Sequence, residues 1–323
     1  MYQNSLIPLG HYDKCNTPAN TTFVIAAGSA GEIGYCDEPF WAADDCFFLL
    51  PNECVISKFL YYNLAAQQQH ISGLVRRGSV PRLARDIVGN LVLQIPDIAE
   101  QDKIVSALTA IDVNISTNQS LIAKYEAIKK ATVNLLLKTK KNWRQITLGD
   151  IGDVLMCKRI LKNQTAETGD VPFYKIGTFG KTPDSFISRA VFEDFKARFS
   201  YPKKGDVLLS AAGTIGRTVV FNGEDAYFQD SNIVWIDNDE RIVTNQFLNV
   251  LYAKMDWQTE NGGTVSRLYN DNIRNAKIAM PSLDEQKLIV AILDSIDRTI
   301  RSLKSHLAKA RDIKQGMMSY FFG

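Results

Sequence analysis

Ile95-Pro96-Asp97-Ile98-Ala99-Glu100-Gln101 and Met280-Pro281-Ser282-Leu283-Asp284-Glu285-Gln286 are two versions of one phrase, and each opens a long apolar-periodic run. Ser282 with Glu285, and Asp97 with Glu100, have the spacing of a capping box, in which the cap oxygen accepts from the first helical turn and the carboxylate reaches back. After the second phrase Ile289, Leu293, Ile296, Ile300, Leu303, Leu307 and Ala310 recur at alternating steps of four and three. After the first, Ile104, Leu108, Ile111, Ile115, Ile122 and Tyr125 do the same, with Asn118 at one polar position. That spacing predicts two long helices, each with the seam of a left-handed coiled coil.

The repetition extends beyond the helices. The shift of 185 residues that carries Pro96 onto Pro281 also carries Arg82, Leu83, Asp86, Asn90, Glu100, Gln101, Leu108 and Asp112 onto identical residues. It places Ala26-Ala27-Gly28-Ser29-Ala30-Gly31 on Ala211-Ala212-Gly213-Thr214-Ile215-Gly216. Only the helix expected over 56–67 and its partner over 244–252 need a slightly different register. The chain therefore reads as two tandem copies of one plan, a variable part followed by a long helix.

The 323 residues suffice for two cores, and 46% hydrophobic with 22% charged residues is the composition of a globular protein. A net charge of +2 leaves room for local basic faces that an average hides. Five cysteines without a C-x-x-C pair, and three scattered histidines, predict free thiols in a reducing cytoplasm and no metal site. No stretch approaches a membrane span. We expect no membrane partner and a cytoplasmic location.

Strand-like runs are expected over 22–27, 46–50, 171–176, 206–210, 217–221 and 232–236, where β-branched and aromatic residues stand between Gly, Asn, Asp and Pro. Two basic regions stand out. Val75 to Arg85 packs Arg76, Arg77, Arg82 and Arg85 around Gly78, and the shifted copy Gly262 to Leu268 retains Arg267. Guanidinium groups and turn N–H groups suit phosphate oxygens. The second region interleaves Lys175, Lys181, Arg189, Lys196 and Arg198 with Phe173, Tyr174, Phe179 and Phe186, and Arg217 follows it. The candidate DNA-contacting residues are thus Arg76, Arg77, Arg82, Arg85, Lys175, Lys181, Arg189, Arg217 and Arg267. Half-buried strands carrying solvated lysines would show the same interleaving.

The repeated helix opening, the strand and turn from Gly205 to Gly216, and the start Trp143-Arg144-Gln145-Ile146-Thr147-Leu148-Gly149-Asp150-Ile151-Gly152 together resemble the specificity subunit of type I restriction-modification systems. The resemblance covers essentially the whole chain. It implies an α+β fold with two tandem strand-rich target-recognition domains, each followed by a long helix, the two helices pairing as an antiparallel coiled coil. The expected divisions are 1–94 and 143–280 for the recognition domains, and 95–142 and 281–323 for the spacer helices. It further implies a subunit without catalysis of its own, which reads a split site in double-stranded DNA and docks two modification subunits and the restriction subunits. S-adenosylmethionine, ATP and magnesium are then expected on those partners and no cofactor here. The first half shows no counterpart of roughly Trp143 to Ser185, so its recognition domain is expected to be shortened.

Two alternatives compete. Pro183-Asp184 with Asp194-Phe195-Lys196 matches the P-D…(D/E)-x-K pattern of magnesium-dependent nucleases, in which two carboxylates hold the metal. Gly28-Ser29-Ala30-Gly31 and Gly213-Thr214-Ile215-Gly216 match the G-x-x-G of KH-like RNA modules. Adenine-methylation and Walker phosphate-loop motifs are both missing from the chain.

Overall fold

The computed structural model describes residues 1–257 and 267–323. Residues 262–266 of the shifted basic copy lie outside the described residues. The chain divides into two compact units, one formed by 1–124 with 300–323 and the other by 125–299.

The first unit holds β1 (Thr21–Ile25), β2 (Ile33–Cys36), β3 (Cys46–Leu49), α1 (Ser57–Ala66), α2 (Gln68–Gly73), α3 (Arg85–Gly89) and the start of α4 (Ile98–Leu136). Its strands form an antiparallel sheet in the order β2-β1-β3. Every residue of β1 is buried, as expected of a central strand covered on both faces. Phe23, Ile25 and Phe40 fill one side, and Val24, Leu60 and Leu64 the other. Strand β2 lies outside the runs expected from the sequence. Glycine at 34 hid that strand: a Cβ there would lie 2.3 Å from the Phe23 ring, so the position is glycine for packing and not for turning.

The second unit adds β4 (Arg144–Thr147), β5 (Val154–Met156), β6 (Val171–Tyr174), β7 (Phe186–Ile187), α5 (Arg189–Arg198), β8 (Val207–Ser210), β9 (Thr218–Val220), β10 (Tyr227–Phe228), β11 (Ile233–Ile236), α6 (Asn245–Lys254), α7 (Asn270–Arg274), β12 (Lys277–Met280) and α8 (Leu283–Phe322), whose C-terminal part belongs to the first unit. The sheets run β5-β11-β8-β9, β10-β6-β7 and β12-β4. The repeat is thereby explained element by element: β8, β9 and β11 are the counterparts of β1, β2 and β3. The lysine-rich segment after Phe186, read as interleaved with strands, contains helix α5. Ser188 accepts from the Val191 N–H at its N-cap, and Phe192 is its buried contact.

The expectation that residues 143–185 have no counterpart is corrected in part. Tyr2 makes a parallel bridge with Ala42, as Phe173 does with Tyr227 one repeat later. Asn4 then passes over the Gly28 turn, where the Ser29 N–H donates to its carbonyl at 2.9 Å. The β6 position is thus occupied in the first unit, by a much shorter segment. The partners supplied by β4 and β5 are the ones without a counterpart among the described residues.

The repeated glutamine explains the repeated phrase. Gln286 is fully buried; its Oε1 accepts from the Thr244 N–H at 2.9 Å and its Nε2 donates to the carbonyls of Ile242 (2.9 Å) and Pro281 (3.1 Å). Gln101, also fully buried, accepts from the Ile56 N–H at 2.8 Å and donates to the carbonyls of Cys54 (2.9 Å) and Pro96 (2.8 Å). Each glutamine therefore locks the start of a long helix to the N-cap of the preceding short one. The capping boxes are only half formed. The Ser282 hydroxyl accepts from the Glu285 N–H at 3.3 Å, but the Glu285 carboxylate pairs with Lys140 and accepts the Trp143 indole N–H at 3.1 Å. An ion pair with an added hydrogen bond outweighs one exposed backbone cap.

Inside each unit the long helices pair antiparallel. In the first, Ile104 and Leu108 of α4 pack with Met317 and Phe321 of α8, and Lys314 pairs with Asp112 at 2.6 Å. In the second, Val133 and Leu136 of α4 share a core with Ile289 and Leu293 of α8, and Lys129 pairs with Asp297 at 2.6 Å. These two ion pairs are one pair exchanged between helices, because the shift of 185 carries Asp112 onto Asp297 and Lys129 onto Lys314. Both are partly exposed, so each contributes about 0–1 kcal/mol and mainly fixes register. Of the apolar residues off the seams, Leu136, Phe321 and Phe322 are helix-end packing, with Phe322 meeting Phe59 at 5.5 Å between ring centroids. Tyr320 stays 84% exposed.

Candidate nucleic-acid interface

In the first unit the basic cluster is a tight β-loop. Arg76 and Arg82 exchange backbone hydrogen bonds at 2.9 and 3.1 Å, which leaves Arg77 and Gly78 at its exposed tip. Leu83 anchors the loop by donating to Ala26 at 2.8 Å, and Arg82 bridges Ala27. The side chains of Arg76, Arg77, Arg82 and Arg85 all face solvent, with Arg85 also lying over the Phe47 ring at 5.6 Å. One repeat later Arg267 bridges Ala212 in the same way. Both arginines therefore sit beside a G-x-x-G turn, in which Gly28, Gly31, Gly213 and Gly216 all take positive φ (81°, 87°, 64° and 84°). That conformation is costly for residues with a Cβ, and it brings each turn back into an antiparallel strand.

In the second unit Lys175 and Arg267 line one cleft of about 440 Å³ together with Arg159 and Lys162, two residues that sequence reasoning missed. Arg267 donates to the Ser231 carbonyl at 3.1 Å and lies over the Tyr269 ring at 6.0 Å, so its guanidinium is oriented before any ligand arrives. Lys175 pairs with Asp184 at 2.9 Å and Arg159 with Asp230 at 2.9 Å, in exposed pairs that a phosphate can exchange at little cost. Arg159 and Lys162 lie in a segment without regular periodicity, and the signal available for them was the basic pair Lys158-Arg159 after Cys157.

Lys181 and Arg217 lie near one another but outside this cleft. Arg217 passes over Gly180 and donates to the Phe179 carbonyl at 3.0 Å, while Lys181 follows that glycine. Arg189 is elsewhere again, at the first turn of α5. Its guanidinium beside Asp225 holds that carboxyl below the usual carboxylate range, with Lys196 on the same carboxylate. The nine candidates thus fall into a loop of four, a cleft pair, a flanking pair and one neutralised residue.

A family model described as "Type I restriction modification DNA specificity domain" matches residues 2–127 and 140–310. The chain is 42% identical over 293 residues to a putative type I restriction enzyme specificity subunit of Haemophilus influenzae, covering 87% of this chain and 75% of the relative. The chain belongs to the type I restriction-modification DNA specificity family. A putative type I specificity subunit of Mycoplasma pneumoniae is 23% identical over 301 residues, covering 91% and 79% of the two chains. The crystal structure of the S subunit of a Mycoplasma genitalium type I restriction-modification system superposes with a TM-score of 0.68 at 19% identity, covering 98% of this chain and 86% of that one.

A specificity subunit recognises DNA and leaves catalysis to its partners, and neither alternative reading finds support beside that assignment. Asp184, Asp194 and Lys196, the supposed nuclease set, are each engaged separately, with Lys175, Arg198 and Asp225. No group of three His, Cys, Asp or Glu is arranged to hold a metal among the described residues. The G-x-x-G segments of this specificity subunit are strand-to-strand turns, so their glycines are accounted for by backbone geometry. Burial pushes the Cys46 and Cys157 thiols up to about 12, which keeps them protonated and unreactive at neutral pH. No helix among the described residues is long and apolar enough to cross a membrane.

Proposed function

We propose that this specificity subunit reads a bipartite target in double-stranded DNA, one half-site for each strand-rich part, and docks two modification subunits and the restriction subunits. The observation that carries the reading is the duplicated arginine, Arg82 on Ala27 and Arg267 on Ala212, set each time beside a glycine turn. Two equivalent basic corners, one in each half of the repeat, suit a target made of two half-sites. We assign 1–94 and 143–280 to recognition, and 95–142 and 281–323 to the spacer. S-adenosylmethionine, ATP and magnesium belong to the partner subunits, and the complex works in the cytoplasm.

Arg267, Lys175, Arg159 and Lys162 are assigned to phosphates along one cleft, Lys181 and Arg217 to its flank, and Arg76, Arg77, Arg82 and Arg85 to the loop of the other half. Arg267→Ala in the complex with the modification subunit is expected to weaken binding to all sequences alike and to flatten the dependence of log K on log salt by about one unit. Arg189→Ala, whose charge Asp225 already neutralises, is expected to change that slope by well under one unit. An unchanged slope for Arg267→Ala would remove the cleft from the interface. Methylome sequencing of cells carrying this chain with its modification subunit tests the whole reading, and a continuous rather than split motif would overturn it.

A further inference from the structure

Inside the cleft of the second unit, the turn Gln229-Asp230-Ser231-Asn232 joins β10 to β11 and is held from several sides. The Arg159 guanidinium donates to the Asp230 carboxylate at 2.9 Å, and Arg267 donates to the Ser231 carbonyl at 3.1 Å. Gln229 ties the turn to the chain after β6: its Oε1 accepts from the Ile176 N–H at 2.8 Å, and its own N–H donates to the Tyr174 carbonyl at 3.0 Å. The Ile233 N–H closes the turn on the Gln229 carbonyl at 3.1 Å. Ser231 has a φ of 53°, a left-handed conformation that is costly for a residue with a Cβ and persists where its neighbours fix it.

On this fixed turn Asn232 is half-buried and lines the cleft, and its side-chain amide makes no hydrogen bond to any described residue. Only its backbone is engaged, the carbonyl accepting from the Ala211 N–H at 2.8 Å. An asparagine in a turn commonly folds its side chain onto its own backbone, and this one does not. Arg159, Lys162, Lys175 and Arg267 line the same cleft and suit phosphates, which offer acceptors alone. A carboxamide offers donor and acceptor side by side, and the group that matches both is a base edge. The first unit has the same backbone position with different chemistry: the Ala26 N–H donates to the Asp45 carbonyl at 2.7 Å, and Cys46 pairs with Ile25 as Ile233 does with Ser210 one repeat later. A carboxylate accepts without donating, so one place in the fold gives each half its own base preference.

We propose that Asn232 is a specificity-determining residue of the second half, whose carboxamide pairs with the N6 amino group and N7 of one adenine in the major groove. Oδ1 accepts from the adenine amino group and Nδ2 donates to N7, while the four cations hold neighbouring phosphates. Guanine presents two acceptors at that edge and would set its O6 against Oδ1, so it is rejected. This inference rests on the DNA reading of the cleft and adds the base that the cleft selects.

The test uses the full chain with its modification subunit and a duplex carrying the motif found by methylome sequencing. Asn232→Ala keeps the backbone bond from Ala211 and is expected to leave the thermal midpoint unchanged. It is expected to weaken binding to that duplex by about tenfold, while the salt slope and the affinity for a duplex of scrambled sequence stay as they were. The motif's adenines are then replaced one at a time by 7-deazaadenine, which lacks the N7 acceptor. A similar loss is expected for the unsubstituted complex at one position, with no further loss there for the Asn232→Ala complex, because a shared contact is lost only once. Undiminished affinity of the Asn232→Ala complex, or equal losses in the two complexes at every adenine, would overturn the proposal. If Arg267→Ala still flattens the salt slope, the cleft remains on DNA and the base assignment alone falls; if that slope is unchanged too, the reading of the cleft falls with it.

Discussion

Gln286→Ala is expected to lower the unfolding free energy of the second unit by about 3–5 kcal/mol, the largest single-residue effect we foresee outside the apolar cores. The side chain is fully buried and makes three hydrogen bonds to backbone groups, those of Thr244, Ile242 and Pro281. Alanine leaves one N–H and two carbonyls without that partner, at about 1–3 kcal/mol for each group that water cannot reach. It also opens space beside Met280, whose sulfur lies 3.4 Å from Nε2. The readout is the urea midpoint of the transition followed by Trp143 and Trp235 fluorescence. Ser282→Ala, which removes a longer, exposed cap bond, is expected to cost about 0.5–1 kcal/mol in the same assay. A loss below about 1 kcal/mol for Gln286→Ala would mean that solvent replaces the clamp. The glutamine would then need another explanation. Gln101→Ala should produce the matching loss in the first unit, because its three partners are the same groups one repeat earlier.

Moving residues 143–280 into a relative that reads two half-sites is expected to replace one half of the methylated motif completely and leave the other half untouched. The physical reason is the β4–β12 ladder. Arg144 and Met280, at the two ends of the segment, are paired Cα partners, so the segment begins and ends at one point roughly 5 Å across. Its sheets bury Trp235, Tyr227 and Phe192 without help from outside the segment, while Phe247 shares a core with Ile289 and Leu293 of α8, helix positions that a relative of this family also supplies after its own segment. Moving residues 1–94 alone is expected to transfer its half-site less completely, since Val92–Ile95 and the outer edge of β3 pair with no further strand among the described residues. Supplying the Trp143–Met156 segment ahead of them is expected to restore transfer. Methylome sequencing of the chimaeras gives the result directly, and a half-site specified by 1–94 as completely as by 143–280 would show that the open edges do not impair reading.

The sequence by itself determined the repeat, the two long helices and the membership of each helix seam. Those features rest on local periodicity and on identities at a constant shift, which need no knowledge of distant contacts. Leu108, Ile122, Ile289, Leu293 and Ile300 are buried where the spacing put them, and Asn118 lies in the seam bonded to Asn114. The sequence also showed Arg82 and Arg267 as equivalents. It did not show why Gln101 and Gln286 recur, because each amide works through backbone groups more than 40 residues away in sequence. Nor did it show that Glu285 abandons its cap for Lys140 and Trp143, that α5 interrupts the basic run, or that Arg159 and Lys162 join Lys175 and Arg267 in one cleft. Tertiary structure decided these points. A charged or polar side chain has several partners within reach of its own neighbourhood, and only the folding of remote strands against one another selects among them.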